Sequence, residues 1–204
     1  NALEDDVNSG EAGFEPLPFA GGIDPFDEVA ALEALAPLGL AYGAGLGLMR
    51  RPEFVLGEIR SVERRDGATI VILARELARG MNPPLAAGRG DRVLVRGDVL
   101  RRWLATRLEL WSQRPRAAGP GAVADRWRLA GEPGAVLERI AVAETGTRIL
   151  HELGERRAGA LLGPQWEAML MALDDRRAEI VARALRDLIA DCESTLPALL
   201  AREG

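Results

Sequence analysis

The chain has 204 residues, 48% of them hydrophobic and 28% charged, with a formal net charge of −5, which is enough apolar material to bury a core in one domain. All 26 basic residues are arginine, so chemistry that needs an amine at a fixed place is excluded: Schiff-base catalysis, a phosphate loop ending in lysine, and the protein-kinase lysine. One cysteine, Cys192, and one histidine, His151, exclude CxxC redox pairs, intrachain disulfides, HExxH and any two-histidine metal site formed by one chain.

The arginine bias, with abundant Ala, Gly and Leu, reads as the product of a high-GC bacterial genome. No stretch reaches the ~18 consecutive apolar residues of a membrane span, and no basic start precedes an apolar run. The expectation is therefore a soluble, cytoplasmic protein with no membrane partner. Charge is uneven along the chain: residues 1–49 hold nine acids and no base, residues 50–128 hold 17 arginines and nine acids, and residues 129–204 hold nine arginines and 13 acids. A basic middle attracts nucleic acid in principle, but stacking aromatics are sparse and no recognition motif is present. Nucleic acid is not an expected partner, and an acidic start lying against the basic middle accounts for the asymmetry.

In chain order, residues 1–28 read as an acidic extended segment, ending in EPLPFAGGIDPFD and anchored by Phe14, Phe19 and Phe26. Asp27 then caps a short helix, EVAALEALAP, which Pro37 stops. Over residues 38–97 the hydrophobic period becomes two and predicts four strands, LGLAYGAGLGLM, EFVLGEIRSVE, ATIVILARE and DRVLVRG. A tight RRDG turn joins the second and third, and the loop NPPLAAGRG precedes the last, so successive hairpins predict an antiparallel β-meander.

From Asp98, read as an N-cap, the period changes to 3.6. Three to four helices are predicted over 98–204: VLRRWLATRLELWSQR, a long helix over about 133–162, QWEAMLMAL, and a last helix over about 174–200. The Gly- and Pro-rich RAAGPGA and a short DRWRLA segment separate the first two. Strands followed by helices in blocks define an α+β fold, a helical bundle on one sheet face, in one compact domain with regions 1–37, 38–97 and 98–204.

The stretch closest to chemistry is ILHELGE, residues 149–155 of the long helix. At ~100° per residue, Val136, Ile140, Ala143, Thr147, Leu150, Gly154, Ala158 and Leu161 fall on one stripe, the expected buried face. Gly154 in that stripe predicts the close approach of another backbone. Glu144, His151 and Glu155 fall together on its flank with Arg148 beside them, while Glu152 points elsewhere. His151 and Glu155, four apart, can ligate one metal ion, and Glu144 extends the row. Further ligands would come from the last helix, which offers Glu179, Asp187 and Asp191. The same residues also suit structure alone, because Glu144 with Arg148 is an ordinary ion pair and a histidine among carboxylates commonly ties two helices together.

Other motifs carry less. GAGLG at 43–47 has no helix after it, so it reads as glycines in a strand crossed by another segment, and no cofactor site is expected. Cys192, between Leu188, Ile189 and Leu196, reads as a buried structural thiol. There is no GxSxG elbow, and Ser9, Ser61, Ser112 and Ser194 sit in no nucleophile setting.

YGAGLGLMRRPEFVLGE (42–58), ARELARGMNPP (74–84), ILHELGE (149–155), LLGPQW (161–166) and RDLIADCESTLPALL (186–200) occur in this order. Together they resemble an uncharacterised bacterial family known by a locus-tag name, over nearly the whole chain. The resemblance implies no activity. It does imply a further N-terminal segment rich in Tyr, Trp and Arg, where partners for His151 would lie. Two classes of function remain: an accessory or binding protein that presents a surface to a protein partner or a second copy, and a small metal-dependent or general-base enzyme using His151 with Glu144 and Glu155. One histidine, no lysine and no recognised nucleophile favour the first.

Overall fold

The computed structural model describes residues 15–18, 22–112 and 132–201. Phe14, Phe19, RAAGPGA and DRWRLA lie outside them. Helix α1 (Glu28–Leu35) begins where the Asp27 side chain accepts the Ala30 N–H at 3.0 Å, and Pro37 ends it within a 3₁₀ turn, Ala36–Leu38. Gly39, at φ +70°, turns the chain into β1 (Leu40–Leu46). β1 pairs antiparallel with β2 (Pro52–Arg65), and β2 with β3 (Ala68–Arg79), through a turn in which Asp66 and Gly67 both take positive φ. That is the geometry a tight RRDG hairpin demands.

The meander ends there. After Pro83 and Pro84, residues expected to be loop form a short strand, β4 (Ala86–Arg89). β5 (Arg92–Val95) folds back past Gly90 to lie between β3 and β4, antiparallel to β4 and parallel to β3. The sheet is therefore mixed and five-stranded, in the order β1-β2-β3-β5-β4, where a four-stranded antiparallel meander was expected. Ala-Ala-Gly-Arg has little strand propensity of its own; its ladder with β5 makes it a strand.

Alternation along β3 and β5 feeds two cores. Ile70, Val93 and Val95 pack with Ile149 and Leu153 of the long helix. Val71, Leu73 and Leu94 point the other way and meet Ala41, Val55 and Leu32. Each fully buried side chain of this kind stabilises by roughly 1.5–3 kcal/mol. The sheet curls until β1 comes over β5 and β4: a Cβ on Gly43 would lie 2.9 Å from Leu94, and one on Gly45 would fall within the Arg89 guanidinium. The glycines of the GAGLG stretch are thus the space through which another segment crosses. Phe26 and α1 cover Tyr42 and Ala44 of β1, and Glu28 accepts the Ala44 N–H at 2.7 Å, an edge donor that no strand takes.

Five helices follow the sheet among the described residues: α2 (Gly97–Ser112), α3 (Pro133–Leu162), α4 (Trp166–Ala172), α5 (Arg176–Ala190) and α6 (Leu196–Leu200). Three to four were expected; the excess arises because a π turn, Asp191–Thr195, divides the last one. Asp98 lies in the first turn of α2, where Oδ2 accepts the Arg102 guanidinium at 2.9 Å and the Glu76 N–H at 3.3 Å. Asp175 caps α5 by accepting the Ala178 N–H at 2.7 Å.

The buried face of α3 is wider than one stripe. Val136, Leu150, Gly154 and Ala158 are buried as the periodicity predicts, Ala143 and Leu161 are exposed, and Ile149, Glu152 and Leu153 are buried in addition. The cause is that the middle of α3 meets the sheet on one side and α5 with its π turn on the other. No described helix is long and apolar enough to cross a membrane.

Candidate functional site

Gly154 sets the site's geometry. A Cβ there would stand 2.5 Å from the Ala190 carbonyl oxygen and 3.0 Å from the Ser194 Cβ, so only hydrogen fits and the two helices meet backbone to backbone. The side chains on either side of that contact, His151 and Glu155, are thereby brought against α5. The π turn adds a residue to the helical repeat just past the contact. Its first residue, Asp191, holds His151 Nδ1 at 2.9 Å.

The other imidazole nitrogen, Nε2, lies 3.4 Å from Glu155 Oε1, and the second Glu155 oxygen takes Arg186 at 2.7 Å. Asp187 completes the group: His151, Glu155 and Asp187 each offer one atom, all within 4.8 Å of one another. All three are half-buried. Glu155 and Asp187 are also hydrogen-bonded to each other.

These contacts fix the charges. The Glu155 hydrogen bond, against the pull of burial and with help from Asp191, pushes the His151 imidazole up to about 9. Burial pushes Glu155 upward, but the bond from His151 and the Arg186 charge outweigh it and hold the carboxyl below its ordinary value. Asp191 follows the same pattern, with burial outweighed by His151. Asp187, by contrast, is raised by burial and then by the neighbouring Glu155 charge. At neutral pH the site holds an imidazolium with both N–H groups directed at carboxylates, and in that state the ring has no lone pair for a metal or a proton.

Behind the row lies Glu152. It is buried against β4, its carboxylate 3.2 Å from where a Gly88 Cβ would stand, and the Gly88 amide donates to it. Burial, then the Glu155 charge, pushes Glu152 up to about 7. The periodicity turned this residue away from the flank but gave no reason to bury it.

The remaining acids go elsewhere. Glu144 pairs with Arg148 at 3.0 Å and is not part of the His151, Glu155 and Asp187 group. Glu179, buried at the start of α5, accepts the Met49 N–H at 2.9 Å and Arg183 at 2.8 Å. It thereby anchors a connection in which Met49 and Arg50 both take positive φ, a strained form for residues with side chains. No motif announces that anchor. Cys192 is exposed, contrary to expectation. Leu188 and Leu196, between which it was expected to be buried, are themselves 63% and 49% exposed, so the apolar spacing there marks an outward stripe.

Fold and site define an α+β protein in which a curled mixed sheet and a helical layer meet along α3, with a clamp of charged side chains seating the last helix. Residues 6–96 match the N-terminal domain, and residues 101–204 the C-terminal domain, of a Family of unknown function (DUF6866), and the chain belongs to that family. No curated protein and no solved structure matches it. The family carries no assigned activity, as the resemblance in the sequence implied.

Proposed function

We propose that this is a non-catalytic binding protein that presents its last helix to a second copy of itself. The observation that carries the reading is the outer face of α5 and α6, where Val181, Leu185, Leu188, Leu196 and Leu200 are 63%, 50%, 63%, 49% and 70% exposed, with Cys192 exposed between them. Such a stripe exposes on the order of 500 Å² of apolar surface, near the upper end for a monomer. Two copies would bury on the order of 1,000 Å², the lower bound of a stable interface. The stripe's own side chains carry no charge, with Asp175 and Arg177 of opposite sign at its Val181 end, so it complements itself better than it complements a partner of one charge. The clamp of His151, Glu155 and Asp191 then serves to hold the inner face of the same helix in one position.

Sedimentation of the wild type and of the double variant Leu185→Glu, Leu188→Glu tests this. The wild type should sediment as a dimer and cross-link through Cys192 on mild oxidation, and the double variant as a monomer with unchanged helix content. A wild type that stays monomeric at every concentration would refute the proposal.

A metal-dependent enzyme is the second reading, because donor atoms of His151, Glu155 and Asp187 lie within 4.8 Å of one another. It requires a metal ion to displace the imidazole proton from between two carboxylates. Stoichiometric metal in the purified protein, lost in both His151→Gln and Glu155→Gln, would establish it in place of the structural role.

A further inference from the structure

Between α1 and the concave face of the sheet lies a cavity of about 80 Å³, room on the order of three water molecules where packed interiors seldom leave space for more than one. Its walls are apolar, with Leu32, Ala41, Val55, Val71 and Leu94 among them, and Gly43 and Gly45 of β1, over which Leu94 and Arg89 pack, also line it. Its charged lining is uneven. Arg96 is already engaged, by Glu76 at 2.6 Å and by the Pro83 and Pro84 carbonyls at 2.6 Å and 3.1 Å.

Arg89 and Arg92 are not engaged in this way. Among the described residues the carboxylate nearest Arg89 is that of Glu28, at 3.8 Å, and Arg92 reaches the Glu28 carbonyl, at 3.5 Å. The Glu28 oxygen nearest Arg89 already accepts the Ala44 N–H. Each guanidinium carries five N–H donors in a planar fork, so two forks with donors to spare line one mixed pocket. Closely placed arginines of this kind match a carboxylate, which accepts two parallel bonds, and the apolar walls match a short hydrocarbon tail.

We propose that the cavity binds a small carboxylate with a short apolar tail, its carboxylate held by Arg89 and Arg92 and its tail against Val55, Val71 and Leu94. The inference goes beyond the pairing of copies through α5 and α6 and uses different elements, so either can fail while the other stands. Glu53, which also lines the cavity, is raised by burial against the pull of Arg183 and Arg89.

Titrating isotope-labelled protein with butyrate, butyramide and inorganic phosphate, followed by NMR, tests the assignment. Butyrate should give saturable shifts at the Gly43 and Gly45 amides and the Leu94 methyls, and butyramide should bind at least about tenfold more weakly, as loss of charge-assisted bonds implies. Arg89→Met and Arg92→Met should each weaken butyrate by about tenfold or more with melting temperature retained, while Arg64→Met should leave it unchanged. Three results would overturn the proposal: no saturable response to butyrate, equal binding of butyramide, or butyrate affinity untouched in both arginine variants. Phosphate binding as tightly as butyrate would overturn the apolar-tail half of it.

Discussion

Replacing Gly154 by valine should cost about 3 kcal/mol or more of folding stability and unseat the last helix. The added Cβ would sit 2.5 Å from the Ala190 carbonyl oxygen and 3.0 Å from its carbon, and both are backbone atoms that no side-chain rotation can move. Relief requires α3 and α5 to separate, which lengthens the His151 bond to Asp191 and opens the Glu155 pair with Arg186. Overpacking alone typically costs ~1–3 kcal/mol, and loss of the clamp adds to it. Gly154→Ala should be milder than valine but still clearly destabilised, since the clash begins at Cβ. Urea denaturation measures both, and a valine variant within ~1 kcal/mol of wild type would show that the helices are not in backbone contact.

Stability should be greatest in mildly acidic solution and fall by several kcal/mol toward pH 9. Two groups drive the fall in adjoining windows. The His151 imidazole, raised from 6.5 to about 9, contributes its stabilisation in full below its unfolded value and loses it as pH rises from 6.5 through 9. At 1.36 kcal/mol per pH unit the loss approaches ~3 kcal/mol, somewhat less for solvent screening of a side chain that is one-quarter exposed. Glu152, raised from 4.5 to about 7, folds most readily as the neutral acid, so a penalty grows between 4.5 and 7 and persists above that. It is of similar size, on the order of 3 kcal/mol. In the opposite direction, Glu155 and Asp191 have lowered values, so their contribution is lost as pH falls through the ordinary carboxylate range.

Urea midpoints measured across pH separate these contributions. Glu152→Gln, which retains an acceptor for the Gly88 amide, should flatten the profile between 4.5 and 7 and stabilise the protein at neutral pH. His151→Gln should flatten the profile between 6.5 and 9, and His151→Ala should cost about 1–3 kcal/mol at pH 6 by removing the imidazolium from between Asp191 and Glu155, the latter keeping Arg186. A profile level from about pH 5 to about pH 9 in the wild type would sink both assignments.

Local periodicity carried most of what was legible in the sequence. The Asp27 cap, the RRDG hairpin, the approach at Gly154 and the crossing at Gly43 and Gly45 all follow from single residues whose backbone or size requirements are strict. What was illegible depends on pairing partners distant in sequence. Ala86–Arg89 becomes a strand only because Arg92–Val95 lies beside it, and the parallel pairing of β3 with β5 leaves no mark on either strand's alternation. Glu144, Glu155 and His151 shared a helical flank, but the helix packed against them decides which have partners: Asp191 and Arg186 come to His151 and Glu155, and nothing on α5 comes to Glu144 among the described contacts. Spacing located the stripe of Leu188, Cys192 and Leu196 and could not say which way it faced.

The π turn at Asp191–Thr195 carries a consequence for descent. A helix acquires such a turn when one residue is inserted into it, and losing that residue rotates everything beyond by about 100°. A family member with a one-residue gap in this segment would keep its Asp191 equivalent where α5 holds it but turn its Ser194 equivalent away from Gly154. The insertion and the glycine should therefore be inherited together or lost together, and an alignment of relatives in which they segregate independently would mean that the packing of Ser194 on Gly154 is incidental to how the last helix is seated.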